Sequence, residues 1–400
     1  MPFLSAALGR IRPSPTVAIT SRALELRAAG RDIIALSAGE PDFDTPDHIR
    51  TAAKAAIDAG HTRYTAVDGM AGLKRAIAGK FARENGLDYA PHEISVGTGG
   101  KQVIFNALLA TLDPGDEVVI PAPYWVSYPD MVRLAGATPV IVPTAVADGF
   151  RLLPRALEAA ITPRTKWLIL NSPSNPSGAA LDAADLAALA EVLERHPRVR
   201  VLSDDIYEHL THDGFAFATI AQVAPALKPR TLVVNGVSKA YAMTGWRLGY
   251  GAGPGELIRA MAVIQSQSTS NPSTISQWAA LAALEGPQDF LPGFRAAFTR
   301  RRDLVAGLLN AIPGIRCPVP PGAFYVYPDI SGLIGRTSAG GRHIATDEDF
   351  ATALLEETGV AVVFGAAFGL SPHFRISYAA GDETLRAACA RIAGFCEGLR

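Results

Sequence analysis

A lysine and an arginine stand eight positions apart in the segment NGVSKAYAMTGWRLG, residues 235–249, among small and apolar residues. Lys239 follows the β-rich run RTLVVNG and has no acidic neighbour in the sequence. Most lysines are surface residues, but burial lowers the pKa of an amine and makes it a nucleophile toward an aldehyde. Lys239 is therefore a candidate catalytic amine, and Arg247 is suited to hold the charge of a phosphate.

An acid and a phenol follow another strand-like run. The segment VLSDDIYEHL places Asp204 at the end of an apolar stretch, with Tyr207 three residues later. Ligands of open α/β sheets bind outside the carboxyl ends of the strands. There an acid can pair with a cationic ring nitrogen, and a phenol can donate to a ligand oxygen. For an isolated acid, however, the more common role of Asp204 or Asp205 is to cap a helix.

A glycine cluster separates a strand pattern from an apolar helix pattern in ISVGTGGKQVIFNALLATL. Such a turn directs backbone N–H groups at an anion, which makes Gly99, Gly100 and Lys101 candidate phosphate ligands. The segment matches neither a Walker A loop nor a GxGxxG fingerprint. A tight strand-to-helix turn without a ligand is an equally good interpretation.

Three further side chains follow or lie in separate strand patterns. Trp125 in PAPYWVSYPD offers a flat face for stacking, although a core aromatic is the commoner role. Asn175 in LNSPSNPSGA can donate an amide hydrogen or can simply form a turn. Arg375 lies mid-strand in HFRISYAA and needs a carboxylate partner, from the protein or from a substrate.

The coincidence of these groups is more informative than any one of them. Together they suit a phosphorylated aromatic aldehyde with a protonated pyridine nitrogen, which is pyridoxal 5′-phosphate (PLP). The sequence has no HExxH motif, no Cys/His cluster and no GxSxG motif, so we expect no metal and no serine nucleophile.

The elements that position these groups alternate from residue 94 onward between short β-rich runs and helical patterns. Strands without strict alternation, interleaved with helices, predict an α/β fold with a mostly parallel sheet between helices. After about residue 290 the pattern changes to that of a smaller α+β domain. We therefore predict an N-terminal arm that is also part of the small domain (1–45), a large domain (46–289) and a small C-terminal domain (290–400).

Composition limits the classes of function. The chain has 400 residues, of which 48% are hydrophobic and 19% charged, so more than one core is possible. The net charge of −1 predicts no nucleic-acid partner. The sequence contains no apolar run long enough to span a membrane, so we expect no membrane segment. Cys317, Cys389 and Cys396 lack metal-ligand spacing, which favours reduced thiols and a cytoplasmic location.

With these residues in place, the sequence resembles the class I aminotransferases of PLP fold type I, in particular the bacterial-type (Ib) aspartate aminotransferases. Essentially the whole chain is covered by the motifs SAGEPDFDTP, TRYT, GGKQ, PYWVSYP, NSPSNPSG, SDDIYEHL, SKAYAMTGWRLGY, QSQSTSNPSTISQ, GAFYVYP and FRISYA. The resemblance implies a seven-stranded sheet in the large domain and PLP as cofactor.

The resemblance also assigns roles around the cofactor. Lys239 would bind PLP covalently and then move a proton between substrate and cofactor, while Asp204 would pair with the ring nitrogen. Tyr207 and Asn175 would hydrogen-bond the ring oxygen, and Trp125 would stack on the ring. The phosphate would be held by Gly99, Gly100, Lys101, Ser238 and Arg247. Tyr64 would reach the phosphate of a neighbouring subunit, which implies a homodimer with shared sites.

For the substrate, the resemblance implies that Arg375 binds the α-carboxylate beside Asn175, Trp125 and the Gly39 backbone. Lys101 would meet the side-chain carboxylate. Arg12 matches a basic position associated with prephenate, or it is only an exposed charge of the arm. Phe364 stands where relatives carry proline.

We therefore expect an aspartate aminotransferase that passes the amino group of L-aspartate to 2-oxoglutarate in a ping-pong reaction. The alternatives are an aspartate/prephenate or aromatic aminotransferase of broader range and, less favoured, a PLP-dependent lyase or a non-catalytic PLP sensor. The partners would be amino acids and 2-oxo acids.

Overall fold

A seven-stranded sheet forms the centre of the computed structural model, which describes residues 3–400. The twelve strands of this part of the chain are β1 (Ile34–Ala35), β2 (Ile94–Gly97), β3 (Glu117–Ala122), β4 (Thr138–Pro143), β5 (Thr165–Asn171), β6 (Arg200–Asp204), β7 (Thr231–Gly236), β8 (Gly249–Ala252), β9 (Tyr325–Val326), β10 (Val360–Ala361), β11 (Val363–Phe364) and β12 (Phe374–Ser377). The order in the large sheet is β2-β8-β7-β6-β5-β3-β4, and only β8 runs antiparallel to its neighbours. The predicted α/β class with a mostly parallel sheet is confirmed.

Helices cover both faces of this sheet, and further helices belong to the C-terminal part of the chain. They are α1 (Pro15–Ala28), α2 (Asp47–Asp58), α3 (Ala71–Asn85), α4 (Gly100–Thr111), α5 (Ser127–Leu134), α6 (Pro154–Ala160), α7 (Ala183–Arg195), α8 (Ile220–Val223), α9 (Gly255–Ser266), α10 (Thr274–Glu285), α11 (Phe290–Asn310), α12 (Asp347–Thr358) and α13 (Asp382–Glu397). Short 3-10 turns connect several of them.

The sequence explains the central strands directly. Every residue of β7, TLVVNG, is buried, and so are all but the first residue of β6. Continuous burial without alternation is typical of parallel strands that are covered on both faces. Helix α7 begins where Asp182 accepts a hydrogen bond from the backbone N–H of Asp185, as its acid at the N-cap predicts.

A second core lies in the C-terminal part of the chain. It contains Phe298, Phe324, Phe350 and Phe374, and it includes Leu36 from the N-terminal segment. Strand β1 pairs with β10 and β12 pairs with β9 and β11, so the beginning of the chain packs with its end. The domain boundaries at residues 45/46 and 289/290 stay predictions.

Within residues 3–400, no helix has the length and apolar character that a membrane span requires. The three cysteines are buried and free.

The topology brings several loops to one edge. Strands β3, β5, β6 and β7 are parallel, so their carboxyl ends lie at the same edge of the sheet. The segment 237–248, which joins β7 to the antiparallel β8, begins and ends at this edge. Lys239 therefore lies beside the residues that follow the neighbouring strands.

Candidate active site

A cavity of about 370 Å³, here called the Lys239 cavity, opens at this edge of the sheet. Most of the side chains predicted from sequence line it, namely Gly39, Gly100, Lys101, Trp125, Asn175, Asp204, Tyr207, Ser238, Lys239 and Arg247. These residues come from six separate segments of the chain. The fold therefore brings together residues that are far apart in the sequence.

Lys239 is held by the N-terminal segment. Its Nζ donates to the carbonyl oxygen of Gly39 at 2.6 Å and lies 5.9 Å from the ring centroid of Tyr207. Burial lowers the pKa of Lys239 to about 8, and the positive charges of Arg375 and Arg247 add to this effect. The amine is thus far closer to its neutral form than a surface lysine at the same pH.

Asp204 ends strand β6 and is buried. Its Oδ2 accepts a hydrogen bond from the hydroxyl of Tyr128 at 2.5 Å. Burial raises the pKa of Asp204 to about 6, although the hydrogen bond from Tyr128 and the charge of Lys239 oppose the rise. No helix begins directly after Asp204, where residues 206–209 form a turn, so the carboxylate does not cap a helix but lines the cavity.

Trp125 and Lys101 lie against each other at the mouth of the cavity. The Nζ of Lys101 is 4.9 Å from the ring centroid of Trp125. Partial desolvation lowers the pKa of Lys101, and the nearby charge of Arg247 adds to this. Behind Trp125, the ring of Tyr128 packs edge-on at 5.2 Å and 84°.

The glycine cluster forms a close junction between helix α4 and the arginine. Gly99 has a φ of +84°, and a Cβ there would lie 2.6 Å from Nη2 of Arg247. A Cβ on Gly249 would lie 2.1 Å from the backbone nitrogen of Gly100. Arg247 itself has a φ of +54°, and its Nη1 donates to the carbonyl of Thr244 at 2.9 Å. The backbone N–H groups at the start of α4 and a guanidinium therefore lie close together, which is a favourable place for an anion.

Arg375 lies directly behind Asn175 and is 3% exposed. Its Nη1 donates to Oδ1 of Asn175 at 2.8 Å, and its Nη2 donates to the carbonyl of Ser37. The guanidinium lies 4.8 Å from the ring centroid of Tyr325, and burial lowers its pKa. Its Nε is buried without a hydrogen-bond partner among the described residues. Such a donor is available to a carboxylate.

Four predicted residues do not line the cavity. Gly99 and Arg375 adjoin it, because Gly99 packs against Arg247 and Arg375 donates to Asn175. The other two, Tyr64 and Arg12, lie apart from it. Tyr64 is 90% exposed in the segment between α2 and α3. Arg12 is exposed and lines a different space of about 920 Å³, here called the arm cleft, together with Tyr124, Glu348 and Phe364. A single chain therefore does not bring Tyr64 or Arg12 to Lys239, and their roles stay predictions.

Three residues of the site were missed from the sequence. Tyr128 binds Asp204, Tyr325 shares a 2.8 Å hydrogen bond with the hydroxyl of Tyr207, and Asn171 donates to the backbone carbonyl of Asp204 at 2.8 Å. Asn171 ends strand β5, so the same end-of-strand signal that selected Asp204 was available for it. Tyr128 lies three residues after Trp125 at the start of a helix, which places both side chains on one turn.

Comparisons with known proteins agree with this arrangement. The family model described as "Aminotransferase class I and II" matches residues 31–392. The chain is 69% identical to the aspartate/prephenate aminotransferase of Cereibacter sphaeroides, and the match covers 100% of both chains. It is also similar to the crystal structure of the Rhizobium meliloti aspartate aminotransferase, with 56% identity, a TM-score of 0.97 and full coverage of both chains. The aspartate aminotransferase of Thermus thermophilus with maleate matches with 47% identity and a TM-score of 0.92, over 99% of this chain and 100% of that one.

Proposed function

Because the chain belongs to the class I and II aminotransferases, we propose that it transfers the amino group of L-aspartate to 2-oxoglutarate, giving oxaloacetate and L-glutamate. The observation that carries the proposal is the Lys239 cavity. In it, the half-buried amine of Lys239 lies among one acid, one stacking ring and the cationic Lys101. A second cationic group, Arg375, adjoins the cavity through its hydrogen bond to Asn175. Full-length relatives with aspartate in their names support the choice of substrate.

The cavity fits PLP as the cofactor. Asp204 would pair with the ring nitrogen, Trp125 would stack on the ring, and Tyr207 would donate to the ring oxygen beside Asn175. The Oδ1 of Asn175 already accepts from Arg375, so its Nδ2 remains as a donor. When bound, PLP supplies an aldehyde that carries the amino group and a ring that withdraws electrons.

The phosphate would lie where Gly99 leaves room for a guanidinium. Any side chain at Gly99 would collide with Arg247, so this glycine keeps the guanidinium against the start of helix α4. The backbone N–H groups of Gly100 and Lys101, the hydroxyl of Ser238 and the charge of Arg247 would hold the phosphate oxygens together.

Lys239 is the group that moves a proton. With a pKa lowered to about 8, its amine can accept a proton from the substrate α-carbon and return it at neutral pH without a large cost. The carbonyl of Gly39 orients the amine, because it accepts from Nζ at 2.6 Å. The N-terminal segment therefore takes part in placing the proton carrier.

The two ends of a dicarboxylate would be bound by different regions. Arg375 would bind the α-carboxylate through donors such as its unpartnered Nε, with Asn175 and the Gly39 backbone beside it. Lys101 would bind the second carboxylate next to Trp125. The relative from Thermus thermophilus was solved with maleate, which is also a dicarboxylate, and this supports a site with two cationic groups.

The active unit would be a homodimer with shared sites. Tyr64 is exposed on a single chain, and no hydrogen bond to its hydroxyl is found within residues 3–400. In a dimer it would donate to the phosphate bound by the partner copy. We also infer a cytoplasmic location, which the three buried reduced cysteines favour.

Prephenate as a further acceptor is the second candidate function. It is favoured by the name of the relative at 69% identity and by the position of Arg12 in the arm cleft, next to the loop that carries Trp125. Prephenate has two carboxylates, as aspartate does, but one of them is attached to a ring that aspartate lacks, and Arg12 would bind this ring carboxylate.

The test is a panel of half-reactions on the PLP-loaded protein. Aspartate, glutamate, phenylalanine, alanine and methionine are added separately, and the visible absorbance band of the holoenzyme is followed. We expect fast conversion with aspartate and glutamate, and recovery with oxaloacetate and 2-oxoglutarate. Recovery with prephenate as well would support the second candidate. An unchanged band with aspartate would refute the proposed substrate.

A further inference from the structure

The hydroxyl of Tyr128 lies 2.5 Å from Oδ2 of Asp204, and the side chain of Tyr128 is 2% exposed. No other side chain among residues 3–400 makes a hydrogen bond to this carboxylate. Removal of the hydroxyl would therefore leave a buried carboxylate with fewer donors, which is costly in a protein interior.

We propose that Tyr128 is a positioning residue for the cofactor, because it fixes and keeps ionised the carboxylate that pairs with the ring nitrogen. This inference rests on the proposed use of PLP. It assigns to Tyr128 a task that none of the residues identified from sequence performs.

The charges around Asp204 explain why a donor is needed. Burial disfavours the ionised carboxylate and raises the pKa of Asp204 to about 6, while the Tyr128 hydroxyl and the backbone N–H of Ile206 stabilise the anion. Burial also raises the pKa of Tyr128 well above its ordinary value. The phenol therefore stays protonated and remains a donor, so the carboxylate keeps its charge for the ring nitrogen.

Tyr128 also connects two walls of the cavity. Its backbone N–H donates to the carbonyl of Trp125 at 3.0 Å, and its ring packs edge-on against the Trp125 indole. One turn at the start of helix α5 thus sets both the stacking ring and the acid. A shift of this turn would move the two walls together.

The substitution Tyr128→Phe separates these tasks, because it keeps the edge-on ring and removes only the hydroxyl. We would measure the dissociation constant of the apo-protein for PLP and for its 1-deaza analogue, in which carbon replaces the ring nitrogen. Loss of a hydrogen bond to a charged group predicts PLP binding weaker by about tenfold or more. Binding of the 1-deaza analogue should change by less than about twofold, since it has no ring nitrogen to pair.

A kinetic measurement on the holoenzyme accompanies the binding measurement. With saturating PLP, kcat for aspartate should fall by roughly tenfold while KM changes by less than about threefold, because Tyr128 does not touch the substrate. Tyr89→Phe is the matched control, since Tyr89 is a buried tyrosine whose hydroxyl has no hydrogen-bond partner within residues 3–400. It should leave both quantities unchanged.

A double-mutant cycle tests whether Tyr128 acts through Asp204. In an Asp204→Asn background, adding Tyr128→Phe should cost little further PLP affinity. Three outcomes would each overturn the inference. The first is that the losses of PLP affinity in the double-mutant cycle are additive. The others are that Tyr128→Phe weakens binding of PLP and of the 1-deaza analogue equally, or that it binds PLP as tightly as the wild type does. If Tyr128→Phe does not fold, Tyr128→His is used instead, because it retains an N–H donor. Its preference for PLP over the 1-deaza analogue should then equal that of the wild type. Loss of this preference would overturn the inference.

The wild-type protein separates this inference from the proposed function. If wild-type apo-protein binds PLP and reacts with aspartate but Tyr128→Phe matches it, only the role of Tyr128 fails. If the wild type does not bind PLP at all, the proposed function fails first.

Discussion

The Lys239 cavity and the arm cleft meet at helix α5, but they are built from different kinds of residue. The cavity takes Tyr128 and Trp125 from this region, and the cleft takes Pro129, Asp130 and Arg133. The cavity's acid, phenol and lysine are fixed by hydrogen bonds of 2.5–2.8 Å. In the cleft, the main polar contact between the arm and α5 is a 3.3 Å hydrogen bond from Arg10 to the carbonyl of Arg133.

This difference separates the groups that would carry out the reaction from the groups that would select the substrate. Groups that must hold a proton or a charge at a defined place lie at the ends of sheet strands, where packing fixes them. Groups that would distinguish between substrates are more exposed, namely Lys101 at the mouth of the cavity and Arg12 on the arm. Changes at Asp204 or Lys239 should therefore alter the rate with every substrate, whereas changes at Lys101 or in the cleft should alter the ranking of substrates.

The largest effect is expected from Lys239→Ala. Proton transfer by a positioned side chain contributes up to about 10⁴-fold in rate, so turnover should fall by roughly that factor. PLP should still bind, because Asp204, Ser238 and Arg247 remain. The measurements are steady-state kcat and the absorbance of reconstituted protein. Lys54→Ala, on the exposed side of α2, is the control; turnover within tenfold of wild type in Lys239→Ala would remove the assigned role.

A smaller and selective effect is expected from Lys101→Ser. Loss of a charge-assisted hydrogen bond should reduce kcat/KM for aspartate and glutamate by about 30- to 100-fold. For phenylalanine the change should stay below about threefold, since its side chain carries no carboxylate. The three substrates are compared on the same enzyme preparation. Equal losses of kcat/KM for all three substrates would mean that Lys101 does not bind the side-chain carboxylate but contributes to the reaction of every substrate.

A third difference concerns the pH dependence of stability. Burial raises the pKa of Asp204 from its ordinary 3.8 to about 6, so between these values the folded apo-protein holds a proton that the unfolded chain has released. This contribution to the free energy of unfolding is fully present below about pH 4 and is lost as the pH rises through 6. In Asp204→Asn this loss does not occur. As the pH rises from 4 to 7, its free energy of unfolding should therefore increase relative to that of the wild type by on the order of 2 kcal/mol.

Urea unfolding of both apo-proteins across this pH range measures the gain directly. Tyr89→Phe, a buried neutral substitution, should show a constant difference from wild type. A constant difference for Asp204→Asn as well would mean that the carboxylate is not held in a desolvated state.

The smallest effect is expected in the arm cleft. Arg12→Gln should lower kcat/KM for prephenate by about tenfold, as for one exposed ionic contact strengthened by partial burial of the substrate, and should leave aspartate within twofold. Arg22→Gln, which lines the same cleft and pairs with Glu25, serves as the control. If Arg12→Gln changed both substrates equally, the cleft would not be the selective region.

Much of the cavity could be predicted because its residues follow strands. Asp204, Asn175 and Lys239 each come after an apolar run, and the parallel sheet then places them at one edge. The resemblance to the family added the individual roles. The fold class followed from the continuous apolar strands.

The rest depended on contacts that the sequence does not contain. Tyr128 and Tyr325 were missed because their importance lies in which hydroxyl meets which partner, 76 and 118 residues away along the chain. Tyr64 and Arg12 were selected by motif alone, and the single chain leaves both away from Lys239. Their roles depend on a partner copy or a bound substrate, which supplies the missing side of each contact.

The hydrogen bond from Arg375 to Ser37 joins residues 338 positions apart, whereas Asp204 and Lys239 are close in sequence. Contacts of such long sequence separation form late in folding, because the entropy of closing the loop must be overcome first. During synthesis at about 5–20 residues per second, Arg375 emerges roughly 7 to 27 seconds after Lys239. The segments of one chain that would hold the cofactor, residues 99–247, are therefore all synthesised before the segment with Arg375, which would bind the substrate.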